Sequence, residues 1–244
     1  MSRPMLKVSG LTRLYDQLVA VEDLSFSVAP GEVLGLVGPN GAGKTTTLRS
    51  LCGVIQPTRG TIEIGGVDLG RDPVRAKNQI AFMPDEPHLF DYLTVEEHLR
   101  FTARLYKATA AEDRIPALLT ELELSEKASA LPTELSRGMR QKLVIACGLI
   151  HDPKALVFDE PLTGLDPAGI RRMKQTIVDR ARQGAAVLLS SHLLHLVEEI
   201  CTRVLILQRG RMVAIGTITE ILAGRPDLQG KSLEDIFLAL TGTT

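Results

Sequence analysis

The sequence predicts an α/β fold with a mostly parallel sheet, on three observations. Short apolar runs alternate with helical stretches through much of the chain. Two runs, Val33-Leu34-Gly35-Leu36-Val37 and Ala155-Leu156-Val157-Phe158, have no polar face, as expected of strands covered on both sides. A glycine-rich turn leads from the first run straight into a helix. The middle of the chain is more helical and reads as a lobe inserted into this core.

In order, apolar runs at 6–8, 24–28, 33–37 and 61–64 read as strands. A helix at 44–52 follows the glycine-rich turn and ends at Gly53. Thr94-Val95-Glu96-Glu97 is a capping box opening a helix that carries Leu99, Phe101, Ala103 and Leu105. Pro116 starts a further helical stretch with Leu118, Leu119 and Leu122, and 134–138 leads into an apolar helix ending near Ile150. A strand at 155–158 precedes Asp166-Pro167, the N-cap and first residue of a helix to Arg182, which Gly184 closes. Then come a strand at 185–189, a helix at 193–200, a strand at 204–207, a turn at Gly210 into 212–215, and a short helix from Ser232.

Composition bounds the function. The 244 residues are 44% hydrophobic and 23% charged, ordinary for a globular domain with a sizeable core. A net charge of −1 gives no electrostatic case for nucleic acid. The longest apolar stretch, 143–150, falls short of the roughly 20 residues that cross a bilayer. The N-terminus, Met1-Ser2-Arg3-Pro4, lacks a signal-type apolar core, and the 3 cysteines are scattered in apolar segments. Both favour the cytoplasm.

Gly38-Pro39-Asn40-Gly41-Ala42-Gly43-Lys44-Thr45 fits the phosphate-binding pattern G-x-x-x-x-G-K-[ST], between a strand and a helix as that pattern requires. Its glycines let successive backbone N–H groups face one anion, and the helix start adds unpaired donors. Lys44 reaches terminal phosphates, and the Thr45 hydroxyl is a ligand for Mg²⁺. Asp159 and Glu160 end a buried strand, where ligands of parallel sheets sit. Asp159 is the candidate to hold Mg²⁺ through water, and Glu160 the candidate general base toward an attacking water.

From about Leu6 to Gly216 the sequence resembles the nucleotide-binding subunits of ABC transporters, with the motifs in that family's order. Gly38 to Thr46 resembles the Walker A motif, and Asp159-Glu160 the Walker B aspartate with its catalytic glutamate. Leu135-Ser136-Arg137-Gly138-Met139 is similar to the LSGGQ signature, Gly164-Leu165-Asp166 to the D-loop, and Ser190-Ser191-His192 to the switch histidine. Tyr15 stands where the adenine-stacking aromatic lies, although an exposed strand tyrosine needs no such role. The sequence departs from the family at Asp85, where Gln is usual, and at Arg137 and Met139, where Gly and Gln are usual. Asp85 keeps an oxygen for a hard cation and adds a negative charge; the alternative is a turn cap.

The resemblance implies a P-loop NTPase core with a mostly parallel sheet, an N-terminal antiparallel β part and an inserted helical lobe at about 86–151. The ATP-binding domain would span 1–222, with a C-terminal extension at 223–244 ending in a helix. It implies an ATPase using ATP and Mg²⁺, with catalytic roles for Glu160, His192 and Asp85 and metal ligation by Thr45, Asp159 and Asp85. Nucleotide contacts would come from Tyr15, Gly38 to Thr46, Ser136, Gly138 and Asp166. It further implies clamping of two copies around ATP, docking to membrane subunits on other chains, and a place on the inner face of the cell membrane. Export is implied by similarity to the ABC-2 type branch. Phe90, Tyr92 and Leu93 fit a docking patch, or equally a loop folding its aromatics into the lobe. The basic groups Arg137, Arg140, Lys142 and Arg171, Arg172, Lys174 read as solvated helix faces. An ABC ATPase acting on nucleic acid or ribosomes is the alternative. It is disfavoured because the segment between Lys44 and Asp159 has no room for a coiled-coil insertion.

Overall fold

The structure is a computed structural model that describes residues 3–223, 228 and 230–242. Parts of the expected 223–244 extension, and Met1 and Ser2, therefore lie outside the described residues. Two sheets share the work. The strands β1 (Leu6–Tyr15), β2 (Leu18–Val28), β4 (Arg59–Ile64) and β5 (Val67–Asp68) pair antiparallel in the order β2-β1-β4-β5. The second sheet is 6-stranded, in the order β10-β9-β3-β8-β7-β6. Its members are β3 (Val33–Val37), β6 (Ile80–Met83), β7 (Ala155–Asp159), β8 (Ala186–Ser190), β9 (Arg203–Gln208) and β10 (Arg211–Gly216). All its pairings are parallel except β9 with the edge strand β10.

The apolar runs are explained by two cores, one on each face of this sheet. Leu156, Phe158, Val187 and Leu189 point into one, and Ala155, Val157, Ala186 and Leu188 into the other. Neighbouring residues thus alternate in direction yet are all buried. The first core is closed by helices. Between β6 and β7 come α3 (Val95–Leu105), α4 (Ile115–Glu121) and α5 (Arg137–Leu149), and after β7 come α6 (Pro167–Arg182) and α7 (Leu194–Ile200). The second core lies between the two sheets and α1 (Lys44–Leu51), with the short α2 (Pro73–Lys77) beside β4 and β5. Among the described residues α8 (Ile218–Leu222) and α9 (Leu233–Thr241) follow β10; α9 packs on α7, and the Leu233 N–H donates to the Glu198 carboxylate at 3.4 Å.

Local signals set the helix starts. Thr94 accepts from Glu97 N–H while the Glu97 carboxylate accepts from Thr94 N–H, the expected capping box of α3. Asp166 caps α6 by accepting from Gly169 N–H at 2.8 Å. Three expectations need correction. The first two strands are longer than 6–8 and 24–28, because β1 and β2 continue as a bulged ribbon, in which the Ser25 and Thr12 hydroxyls accept from Gly10 and Asp23 N–H across the bulges. α2, β5, β6 and α8 are additional to the expected elements. The basic groups are not all solvated: Lys142 pairs with Glu123, and Lys174 with Glu199, each with a side chain 15% exposed. Among the described residues no helix is long and apolar enough to cross a membrane.

Candidate functional site

Four loops leave the carboxyl ends of the adjacent parallel strands β3, β8, β7 and β6, the edge at which α/β sheets bind ligands. They carry residues 38–43, 191–193, 160–166 and 84–93 respectively. Tyr15, Asn40 to Thr46, Asp85, Asp159 and Glu160 together line one cavity of about 480 Å³. A cavity of about 500 Å³ also lies between β4, β5 and α2, lined by Gly53, Pro57, Leu69 and Lys77 among others. It has neither a glycine loop nor converging carboxylates, so chemistry and not size selects the first.

The glycine loop turns because Gly41 and Gly43 have φ of +76° and +101°. At Gly43 a β-carbon would also lie 2.5 Å from the Ala20 carbonyl oxygen, so the fold requires glycine there. The α1 N-terminus then faces the cavity with no side-chain cap. Its free N–H groups and the positive end of its dipole make an anion site. The Lys44 ammonium donates to the Gly38 and Pro39 carbonyls, at 2.7 and 3.3 Å, and so lies along its own loop. Burial lowers its pKa, while the charges of Glu160 and Asp159 oppose that shift.

The pairing of β7 with β8 sets Asp159 beside Ser190. The buried Ser190 hydroxyl donates to Asp159 Oδ1 at 2.6 Å and accepts from Glu160 N–H at 3.1 Å. Glu160 has φ of +50°, an unfavourable backbone for a residue with a β-carbon, of the kind found at functional turns. Its carboxylate accepts from His192 twice, from Nδ1 at 2.8 Å and from the backbone N–H at 3.3 Å. Asp85 has its own partner, the Arg137 guanidinium at 3.8 Å. At the other end of the cavity Tyr15 is 41% exposed, with the Arg13 guanidinium 4.5 Å above its ring centroid.

The remaining candidates stand apart within this chain. Ser136 caps α5 by accepting from Met139 N–H at 3.2 Å. Gly138 packs against Gly164; a β-carbon there would lie 3.3 Å from the Gly164 carbonyl oxygen. Asp166 is held in its α6 cap. None of the three lines the cavity. Sequence reasoning passed over Ser190, Arg13 and the pairing of Arg137 with Asp85. Only the Ser190-Ser191-His192 run offered a signal for any of them.

A second, apolar groove runs between the sheet and the helical region, lined by Phe82, Leu89, Phe90, His98, Tyr106 and His151 among others. Phe90 folds onto α3, edge-on to Phe101 at 5.3 Å, whereas Tyr92 is 92% exposed. Phe90 remains 56% exposed despite this contact, so neither aromatic is buried in the helical region.

Comparison with known proteins decides what this edge belongs to. The family model described as "ABC transporter" matches residues 21–163, from β2 to just past Glu160. The chain belongs to the ABC transporter ATP-binding family. It is 35% identical to the "ABC-type transporter ATP-binding protein EcsA" of Bacillus subtilis (strain 168), over 97% of this chain and 96% of that one. It is 38% identical to the "Nod factor export ATP-binding protein I" of Ralstonia nicotianae (strain ATCC BAA-1114 / GMI1000), over 91% of this chain and 70% of the relative. A solved "ATP binding subunit of ABC transporter" superposes with a TM-score of 0.92 at 37% identity, covering 97% of this chain and 99% of that one. The chain is thus an ATP-binding ABC ATPase subunit with exporter-type relatives, and its α/β fold is that of the family.

Proposed function

We propose that this subunit powers export by clamping onto ATP as a pair of copies, each supplying half of both sites. The carrying observation is that strand-end loops bring Lys44, Asp159, Glu160 and the His192 contact to one cavity edge, while Ser136 and Gly138 stand outside it on the α5 N-terminus. A helix start that caps itself with Ser136 is a second phosphate-facing surface with no phosphate loop of its own chain to face. A head-to-tail pair supplies one, with Asp166 and its loop beside the junction.

In this reading the N–H groups of 40–46 and the Lys44 ammonium hold the β- and γ-phosphates, and Tyr15 stacks on the adenine with Arg13 backing the ring. Glu160 accepts the proton of the attacking water. The two His192 contacts fix the direction of that carboxylate, and the Ser190 hydroxyl fixes Asp159. The donor set of Thr45, Asp159 and Asp85 is all oxygen and suits Mg²⁺. Among the described residues no three His, Cys, Asp or Glu side chains form a cage for a metal ion, which fits a cation shared with substrate phosphates. Bound there, Mg²⁺ would neutralise charge on the phosphates. The groove lined by Phe90, on the loop that also carries the exposed Tyr92, is the docking face for a membrane subunit and would set the ATPase at the inner membrane surface. The helical segment 86–151 moves with it as a lobe of the 1–222 domain. Export follows the Nod factor export relative.

The test is Glu160→Gln. It keeps the phosphate loop and loses the base, so ATP should bind, remain uncleaved and hold two copies together. Light scattering with ATP should then read a dimer mass; a variant that binds ATP and stays monomeric overturns the shared site.

A further inference from the structure

Three carboxylates line the candidate phosphate cavity together with one ammonium, Lys44. Two of the three are tied by groups at the end of β8, Asp159 by Ser190 and Glu160 by His192 just after it. The third, Asp85, is tied from elsewhere. Its partner Arg137 is the first residue of α5, and the contact is 3.8 Å. The Arg137 side chain is 59% exposed and runs over Gly164, where a β-carbon would come 3.2 Å from Arg137 Nε. One turn further along α5, the buried Gln141 side chain donates to the Pro84 carbonyl at 3.2 Å. The same helix therefore grips consecutive residues of the 84–85 loop, one through its backbone and one through its charge.

We propose that Arg137 is a positioning residue: it is the counter-ion that keeps the Asp85 carboxylate away from the Lys44 ammonium, so that Lys44 stays available to phosphate. This rests on the phosphate site assigned above. Asp85 and Lys44 open onto the same cavity, and Lys44 is partly buried, where attraction between unlike charges is several times stronger than in water. A carboxylate released from its guanidinium faces a cavity whose one lining ammonium is Lys44. A nucleotide then has to displace Asp85 before its phosphates reach the ammonium. The contact also reads the position of α5: any shift of its N-terminus moves the Arg137 head relative to Asp85. The segment beginning at Ser136 and the phosphate loop are thereby linked within one chain by charge.

The experiment is a double-mutant cycle on the full chain, read by titration calorimetry with ADP in the presence of a metal chelator, and by ATP turnover. Arg137→Gly should weaken ADP about tenfold, a coupling of about 1.4 kcal/mol. It should raise KM by a similar factor while kcat changes less than about threefold. In the Asp85→Gln background the same substitution should change ADP affinity less than about twofold, because no carboxylate remains to be released. Arg137→Lys should recover most of the affinity, since a cation is restored. Equal losses in both backgrounds overturn the proposal and point to direct contact of Arg137 with nucleotide. A loss from Arg137→Gly accompanied by a lowered melting temperature in both backgrounds also overturns it, as a packing effect through Gly164. Failure of the wild-type chain to bind ADP would instead overturn the site assignment, and is read separately.

Discussion

Ser190 shows how much of the site depends on one small side chain. It is fully buried, donates to Asp159 and accepts from Glu160 N–H, so one hydroxyl fixes the directions of two successive residues at the end of β7. Removing it leaves a buried carboxylate oxygen and a backbone N–H to find other partners, at about 1–3 kcal/mol. Ser190→Ala should therefore lower the melting temperature by several degrees, at roughly 2–4 °C per kcal/mol for a chain of this size. It should also lower kcat, because Asp159 and Glu160 lose their alignment. A calorimetric scan beside a steady-state assay checks both, and an unchanged melting temperature would remove Ser190 from this role. The cysteines are a contrast. Burial raises the thiols of Cys147 and Cys201 to about 12, and that of Cys52 further, so none is a nucleophile at neutral pH.

At the scale of elements, α3 depends on its cap. Thr94→Ala removes the hydroxyl acceptor of Glu97 N–H and should cost about 1 kcal/mol. The partner carboxylate adds a pH signature. The Thr94 N–H, and then the Thr94 hydroxyl, hold the Glu97 pKa below its usual 4.5. A depressed carboxylate pKa stabilises above the unfolded value and loses that stabilisation as pH falls through the folded one. The wild-type advantage over Glu97→Gln should thus be complete above pH 4.5 and shrink below it, as urea unfolding at several pH values will show. The same local chemistry explains which elements could be read from the sequence. Thr94 with Glu97, Asp166-Pro167 and Ser232 with Asp235 announce α3, α6 and α9 within four residues. The phosphate loop is equally local. What was illegible depends on pairing that an apolar pattern does not show. β5 is a strand only because Glu63 and Ile64 pair with it, and the outer half of β1 only because β2 lies alongside. Asp85 and Arg137 show no sign of each other in the sequence, yet they meet because β6 and α5 pack together.

At the scale of the molecule, both cores and the ligand edge share one sheet, and this ties nucleotide binding to global stability. β3 contributes Val33 and Val37 to one core, Leu34 and Leu36 to the other, and ends in the phosphate loop. A ligand that fastens this loop stabilises the strand on which both cores are built. Binding to the folded state alone adds RT ln(1 + [L]/Kd), about 2.7 kcal/mol at a hundredfold excess over Kd. At roughly 2–4 °C per kcal/mol, ATP should raise the melting temperature by about 5–11 °C. Lys44→Ala removes the ammonium that reaches the terminal phosphates but leaves the α1 amides in place. Its ATP response should collapse, while its own melting temperature should change little, since the lost bonds to the Gly38 and Pro39 carbonyls are offset by relief of a partly buried charge. Differential scanning with and without ATP separates these outcomes. A full ATP shift in Lys44→Ala would mean that the cavity holds nucleotide without its ammonium, and the assignment of the phosphate site to Lys44 would fall.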